Sequence, residues 1–387
     1  MRLFKVGAEG KNELIPSKFI QDSEGNYWES RGKVGGADFL VPAPEWAGNI
    51  NFYLFEGPNI FIEPTRKPLC DVPLLKAGGK PAEGGNLILS DDEKNELLRT
   101  DPLAEKFIRP FMGGKEFINN ISRWCLWLKG VEPADIRKCP RVLERIERVR
   151  EFRLSSKKAA TRKKADTPML FDEIVECSKN YLAIPKTSSE RRRYIPIGWL
   201  SYEVIAGDAI FVCENATLFQ FGIMNSTVHN AWVRKVSGRL GMSYRYSNTI
   251  DYNAFPWPVL RSIPTKPGQP PKIHPSIPEI EAAAQAILDA RALYPRSSLA
   301  DLYDERTMPP ELRRAHQKND EAVMRAYGFR RHYDDERAHE EDIVIQLMYM
   351  YQELTGCEEG SDSYPNREFW RSWFGDDDED EESEYED

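Results

Sequence analysis

A chain of 387 residues, 41% hydrophobic and 30% charged, has the balance of a folded protein of one large or two modest domains. It holds no apolar run of about eighteen residues, which excludes a helical membrane span, and its opening Met-Arg-Leu-Phe-Lys-Val lacks the apolar core of a secretory leader. The net charge of −9 argues against a nucleic-acid partner until it is placed along the chain: ten acids and no base occupy 376–387, so the remainder carries +1. Within that remainder, 137–166 holds twelve Lys or Arg against four acids. The six cysteines, at 70, 125, 139, 177, 213 and 357, show no C-x-x-C spacing and read as reduced thiols of a cytoplasmic protein.

In chain order, 1–70 reads as short strands and turns, and 73–85 as a Gly/Pro-rich connection. Ser90 and Glu93 form a capping-box pattern that predicts a short helix. The compact run Arg-Trp-Cys-Leu-Trp-Leu at 123–128 predicts a buried strand. One helix is predicted over 133–153, with Leu143, Ile146, Val149 and Phe152 inward and Arg141, Arg145 and Arg148 on another face. The basic, polar stretch 155–167 reads as mobile. Strands are predicted at 181–185, 194–200 and 208–213. A long amphipathic helix is predicted over 216–236, with Asn215 as its N-cap and Gly238 as its stop. The Pro-rich stretch 263–275 reads as a stiff linker. Helices are then predicted from a second capping box at 276–279, over 309–327 up to Gly328, and over 335–355 up to Gly356. The acidic end, 357–387, reads as a solvated tail.

The search for catalytic chemistry is negative. No Gly-rich phosphate loop, no G-x-S-x-G turn and no Asn/Asp-Pro-Pro-aromatic motif occurs. His316 and Asp320, at i and i+4, read as a surface or capping pair rather than metal ligands, and Ser226 with His229 lacks a third partner. No catalytic residue and no metal site is assigned.

Three segments carry binding chemistry. Arg141, Arg145 and Arg148, with Arg150 and Arg153 nearby, form a row that suits a phosphate backbone or, equally, a solvated helix face. Lys186, Ser188, Ser189, Arg191, Arg192 and Arg193 crowd one loop between two strands, offering hydroxyls and guanidiniums for phosphates and base edges. Arg239, Ser243, Arg245, Ser247 and Asn248 lie on a strand-like segment. Arginine there can donate two bonds to guanine, and asparagine can pair with adenine. Alternation sends Ser243, Arg245 and Ser247 to one face and Tyr244 and Tyr246 to the other.

The chain also resembles the C-terminal part of MmeI-like type II restriction-modification enzymes. The matching stretches include Gly-Gly-Asn-Leu-Ile-Leu-Ser at 84–90, Glu-Phe-Ile at 116–118 and Tyr-Ile-Pro-Ile-Gly at 194–198. They continue with Phe-Gly-Ile-Met-Asn-Ser at 221–226, Tyr-Arg-Tyr-Ser at 244–247, Tyr-Asn-Ala-Phe-Pro-Trp-Pro at 252–258 and Leu-Ala-Asp-Leu-Tyr-Asp at 299–304. Their joint order over about 50–328 is specific. The resemblance implies an α+β fold, in which a mixed sheet-and-helix DNA target-recognition domain precedes a small all-α C-terminal domain. Its implied divisions are the closing segment of a methyltransferase domain with its linker at 1–72, the recognition domain at 73–262 and the Pro-rich linker at 263–275. The helical domain follows at 276–356, with the acidic tail at 357–387.

The function implied is sequence-specific reading of double-stranded DNA for an adenine-N6 methyltransferase. S-adenosylmethionine would be bound by a domain absent from this chain, and a separate methyltransferase or nuclease subunit is a possible partner. A protein-interaction module of a phage-defence complex stays open beside it, and the two differ in the salt dependence each predicts.

Overall fold

The computed structural model describes residues 4–6, 12–14, 20–21, 26–34, 37–42, 49–262, 272–329 and 336–356. The acidic tail and most of the Pro-rich linker therefore lie outside the described residues. The chain divides into two compact units, one of Met1–Glu63 with Met348–Asp387 and one of Pro64–Leu347. The architecture is α+β: short sheets dominate its earlier half and helices its end.

In the first unit, Phe4–Val6 pairs antiparallel with Asn12–Leu14, and Tyr27–Val34 pairs with both Ile20–Gln21 and Ala37–Pro42. Phe55, Ile60 and Ile62 are buried there, and the Glu63 amide donates to the Tyr351 hydroxyl at 3.0 Å.

In the second unit, Tyr181–Pro185 is an apolar run rather than an alternating one, and every residue of it is buried. A strand covered on both faces has that signature. It lies between Gly198–Leu200 and Ile210–Cys213, and Lys76–Ala77 completes an antiparallel four-stranded sheet. A second four-stranded sheet runs Ile205–Ala206, Ile108–Met112, Trp124–Leu126, Ile88–Leu89, and its first pair is parallel. Ser90 caps the helix Asp91–Thr100 through the reciprocal capping box its sequence predicts.

The helix predicted over 133–153 is broken. Pro133–Ile136 forms one turn, and the main helix is Pro140–Leu154, because Pro140 has no N–H to continue the first and starts the second. Its inward face also differs from the expected one: Val142, Val149 and Arg153 are buried, while Leu143 and Phe152 are exposed. A strict three-residue spacing drifts about 60° per step around a 3.6-residue helix. The set 143, 146, 149, 152 therefore cannot stay on one face, whereas 142, 146, 149, 153 does. The stretch after it is built in rather than free. It forms the short helix Ala159–Lys163 with Ala165 buried.

The single helix predicted over 216–236 is two, Leu218–Met224 and Thr227–Val236. Thr217, not Asn215, caps the first through Gln220. At the break, Asn225 Nδ2 donates to the Phe221 carbonyl at 2.8 Å and Ser226 Oγ donates to the Ile223 carbonyl at 2.6 Å. Polar side chains that bond the preceding turn interrupt the helix there, and Ser226 then caps the next. That helix ends at Val236, and Gly238 opens a strand. Further on, Pro275 precedes the helix Ser276–Ala292 with no side-chain cap, so the box expected at 276–279 does not form. Pro310–Tyr327 ends on Gly328 at φ +72°, a left-handed position that favours glycine, and Glu336–Thr355 ends at Gly356.

The helices Ser276–Ala292 and Leu218–Met224 cross closely. A Cβ at Gly222 would sit 2.6 Å from Ile280 Cγ2 and 3.3 Å from Ala284 Cβ. Arg291 bolts the same contact. Its guanidinium donates to the Ile197 carbonyl at 2.7 Å and to Asn225 Oδ1 at 3.4 Å, and also meets the Tyr303 hydroxyl.

Candidate nucleic-acid interface

Two of the three binding segments meet. Thr187–Ser188 pairs antiparallel with Ser243–Arg245, placing Thr187 opposite Arg245 and Ser188 opposite Tyr244. Gly238–Leu240 pairs with the other edge of Ser243–Arg245. The result is a three-stranded sheet built from stretches far apart in sequence. The Tyr246 amide donates to the Lys186 carbonyl at 2.8 Å, and the Lys186 amide to the Ala209 carbonyl at 3.0 Å, which ties this sheet to the larger one.

The alternation holds. Tyr244 and Tyr246 are buried, Arg245 is exposed, and Ser243 and Ser247 are half-buried. Each buried tyrosine has a reason to stay in. Tyr246 Oη lies 2.9 Å from His229 Nε2, and the Arg239 guanidinium sits 3.8 Å over the Tyr244 ring. Asp251, fully buried, accepts from the Ser247 amide at 2.5 Å and from the Ser237 hydroxyl at 3.1 Å. The same Ser237 hydroxyl hydrogen is shared with the Arg245 carbonyl, 2.8 Å from Oγ. One carboxyl thus pins both flanks of the strand pair that carries Arg245. Burial raises the Asp251 carboxyl to about 8 and lowers the His229 imidazole to about 3.

The loop 189–193 turns beside this sheet, with the Arg192 amide donating to the Ser189 carbonyl at 3.2 Å and the Arg191 amide to Ser189 Oγ at 3.3 Å. A cleft of about 740 Å³ opens between the loop, the end of Thr227–Val236 and the hairpin. Arg191, Arg192, Arg193, Arg234, Lys235 and Arg239 line it against three glutamates, Glu190, Glu305 and Glu340. Arg234 and Lys235 were not singled out in the sequence. Their signal in the sequence is two cations in the last turn of an otherwise uncharged helix. Arg234 is held by Glu340 at 2.6 and 3.0 Å, and Lys235 by Glu341 at 2.8 Å. Lys186 is half-buried with its ammonium 4.7 Å from the Phe211 ring centre, and burial lowers its pKa. Ser188 is buried and Ser247 Oγ shares a bond with Thr249 Oγ1 at 2.8 Å. Asn248 begins the turn of helix Asn248–Tyr252.

The third segment does not join this sheet. Arg145 is largely enclosed and donates to the Asn86 carbonyl at 3.1 Å and to Glu93 at 3.2 Å. Arg141 and Arg148 both pair with Glu144, at 3.0 and 2.5 Å. Arg153 is fully buried and gives five bonds to carbonyls of Pro81, Ala82, Lys164, Thr167 and Leu170. It staples the stretch after the helix and is closed to any phosphate.

His316 is not a surface residue. It is buried, stacks on Tyr194 at 4.1 Å, and has Nε2 2.8 Å from Tyr303 Oη and Nδ1 3.2 Å from the Asn225 carbonyl. Asp320 accepts from the Tyr194 hydroxyl at 2.7 Å and from the Thr227 amide at 2.6 Å, so it serves a helix start. Ser226 and the His229 ring likewise have separate partners, Ile223 and Tyr246. Among the described residues, no group of three His, Cys, Asp or Glu is placed to hold a metal. No helix among them is long and apolar enough to cross a membrane.

Known proteins resemble this chain over the span that contains the sheet and over the helices after it. The family described as MmeI, target recognition domain, matches residues 56–259, and the family described as MmeI, C-terminal domain, matches 275–357. DNA methyltransferase A of Bacillus subtilis (strain 168) is 35% identical over 323 residues, which are 84% of this chain and 35% of that protein. A solved structure of the type IIL restriction-modification enzyme MmeI in complex with DNA is 38% identical, with a TM-score of 0.73 over 92% of this chain and 45% of that one. The chain thus spans about a third of the curated relative and under half of the solved one.

Proposed function

Because the chain belongs to the MmeI family, we propose that it reads a specific sequence in double-stranded DNA on behalf of a restriction-modification methyltransferase that modifies adenine at N6. The observation that carries this is the joining of 186–188 with 238–245 in one sheet beside a cleft lined by six cations. Phosphates are held by Arg191, Arg192, Arg193 and Arg239, which sets the register of the protein on the duplex. Base edges are read by the row Ser243, Arg245 and Ser247, with Asn248 at its end. Arg245 is the exposed member of the row and can give guanine O6 and N7 two parallel bonds. Lys186, Ser188 and Ser189 support the row from the neighbouring strand and loop.

Extrusion of the adenine and methyl transfer belong to the complete enzyme. No residue of this chain is assigned to S-adenosylmethionine. The Asn/Asp-Pro-Pro-aromatic motif that holds a target amine does not occur in the 387 residues, and the cleft carries the guanidiniums that suit phosphate. The deciding experiment is selection of bound duplexes from a random pool by the wild-type chain and by Arg245→Ala. One position of the recovered motif is expected to relax in the variant. Recovery of no motif by wild type, at any salt, would refute sequence reading.

A further inference from the structure

The hairpin Gly238–Leu240 with Ser243–Arg245 does more than present Arg245. Its outer strand is exposed at all three positions, and Leu240 pairs with Ser243 across a two-residue turn, Gly241-Met242. Gly241 stands at φ +59°, which suits a tight hairpin turn with glycine first. A Cβ built on Gly238 or Gly241 meets no atom within 4 Å, so the tip stands clear of the body. Two long apolar side chains sit there. Met242 is 74% exposed, the most of any large apolar residue among those described, and Leu240 is 59% exposed. Nothing in the turn requires them, since polar residues serve an exposed turn better.

The tip is also stiff and framed by cations. Arg239 stacks on buried Tyr244 and donates to the carbonyls of Met242 at 3.4 Å and Arg234 at 3.3 Å, so it straps the turn to the helix behind. Arg245 is exposed on the adjoining strand. A projecting turn with a leucine and a methionine at its end and guanidiniums beside it matches duplex DNA in charge. Leucine and methionine are among the side chains that proteins insert between base pairs, with cations on the flanking phosphates.

We propose that Leu240 and Met242 form a wedge that opens one base step of the bound duplex, next to the base pairs read by Arg245. This rests on the DNA reading proposed above. A wedge accounts for two large groups side by side at a tip. Contact with a single thymine methyl asks for only one small group.

The test uses the full chain and duplexes recovered from a random pool, with 2-aminopurine placed in turn along the site. Binding is scored separately by anisotropy. Wild type should raise 2-aminopurine fluorescence severalfold at one step and bend the duplex in a phasing assay. Leu240→Ala with Met242→Ala should abolish both signals and weaken binding, while the recovered sequence motif and the melting temperature stay unchanged. Binding with no fluorescence rise at any step overturns the wedge, as does a rise that survives the double variant. Loss of affinity when uracil replaces thymine, without a fluorescence rise, also overturns it and leaves a methyl contact instead. If wild type fails to bind any duplex, the DNA reading falls first, and the apolar tip is left to a protein partner.

Discussion

Two parts of this chain are rich in arginine, and the structure uses them in opposite ways. Along Pro140–Leu154 the guanidiniums are occupied by the protein itself: Arg145 by Glu93, Arg141 and Arg148 by Glu144, and Arg153 by five carbonyls. Around the hairpin Arg239 and Arg234 also bond main-chain carbonyls, but Asp251 and Ser237 hold the strand that carries Arg245, which leaves that guanidinium exposed. Local charge density was higher in the first region, yet the second has the geometry of an interface. What separates them is who satisfies the backbone. In Pro140–Leu154 Arg145 and Arg153 bond carbonyls themselves, whereas beside Arg245 an acid and a hydroxyl do so and its guanidinium stays exposed.

The strongest way to break this contrast is Arg153→Ala. Five carbonyls lose their donor in a buried setting, and bonds to charged groups contribute about 1.5–3 kcal/mol each when single. Because such terms do not add, a loss on the order of 3 kcal/mol or more is expected in denaturant unfolding. A loss under about 1 kcal/mol would show that the stretch 155–167 holds itself.

The pH dependence of stability tests the pins beneath the hairpin. Asp251 is raised from 3.8 to about 8, so the folded chain keeps a proton that the unfolded chain has lost between those values. Its contribution is full below 3.8 and is lost as pH rises through about 8. His229 is lowered from 6.5 to about 3, so its contribution is full above 6.5 and is lost as pH falls toward 3. Asp251→Asn should flatten the fall in melting temperature between pH 3.8 and about 8 and leave the slope above that window unchanged. A variant that parallels wild type from pH 5 to about 9 would mean that the carboxylate is ionised in the fold.

Next in size is Arg245→Ala, expected to cost about 1–3 kcal/mol at one position of the recognised sequence. A uniform loss across all sequences would make Arg245 a phosphate contact. The smallest effect is expected from Arg141→Ala with Arg148→Ala. Both are exposed and share one glutamate, so melting temperature and the slope of log K against log salt should be unchanged. A slope flatter by about 0.9 for each residue would return that helix to the interface.

The sequence showed what local pattern can show. Alternation over 243–247 sorted tyrosines from the exposed row, Ser90 with Glu93 marked a helix start, and Gly328 and Gly356 marked two ends. The ordered set of short matches also pointed to the family. It did not show that Ser188 pairs with Tyr244, because strand pairing across the chain leaves no periodic trace in either segment. It misjudged Arg153, because a buried guanidinium is explained only by carbonyls brought to it from two other stretches. It missed the break at Asn225-Ser226, where two side-chain bonds outweigh an otherwise continuous helical pattern.

Gly222 carries a practical consequence. With no room for a Cβ against Ile280, and with Arg291 bonded to both Ile197 and Asn225, the sheet-bearing half and the helical half share one seam inside Pro64–Leu347. A transplant that exchanged only 56–259 for the equivalent part of a relative would cut through that seam and put a foreign surface against Ile280 and Arg291. Any part exchanged must therefore carry both sides of the Gly222–Ile280 contact and end outside the helix Glu336–Thr355.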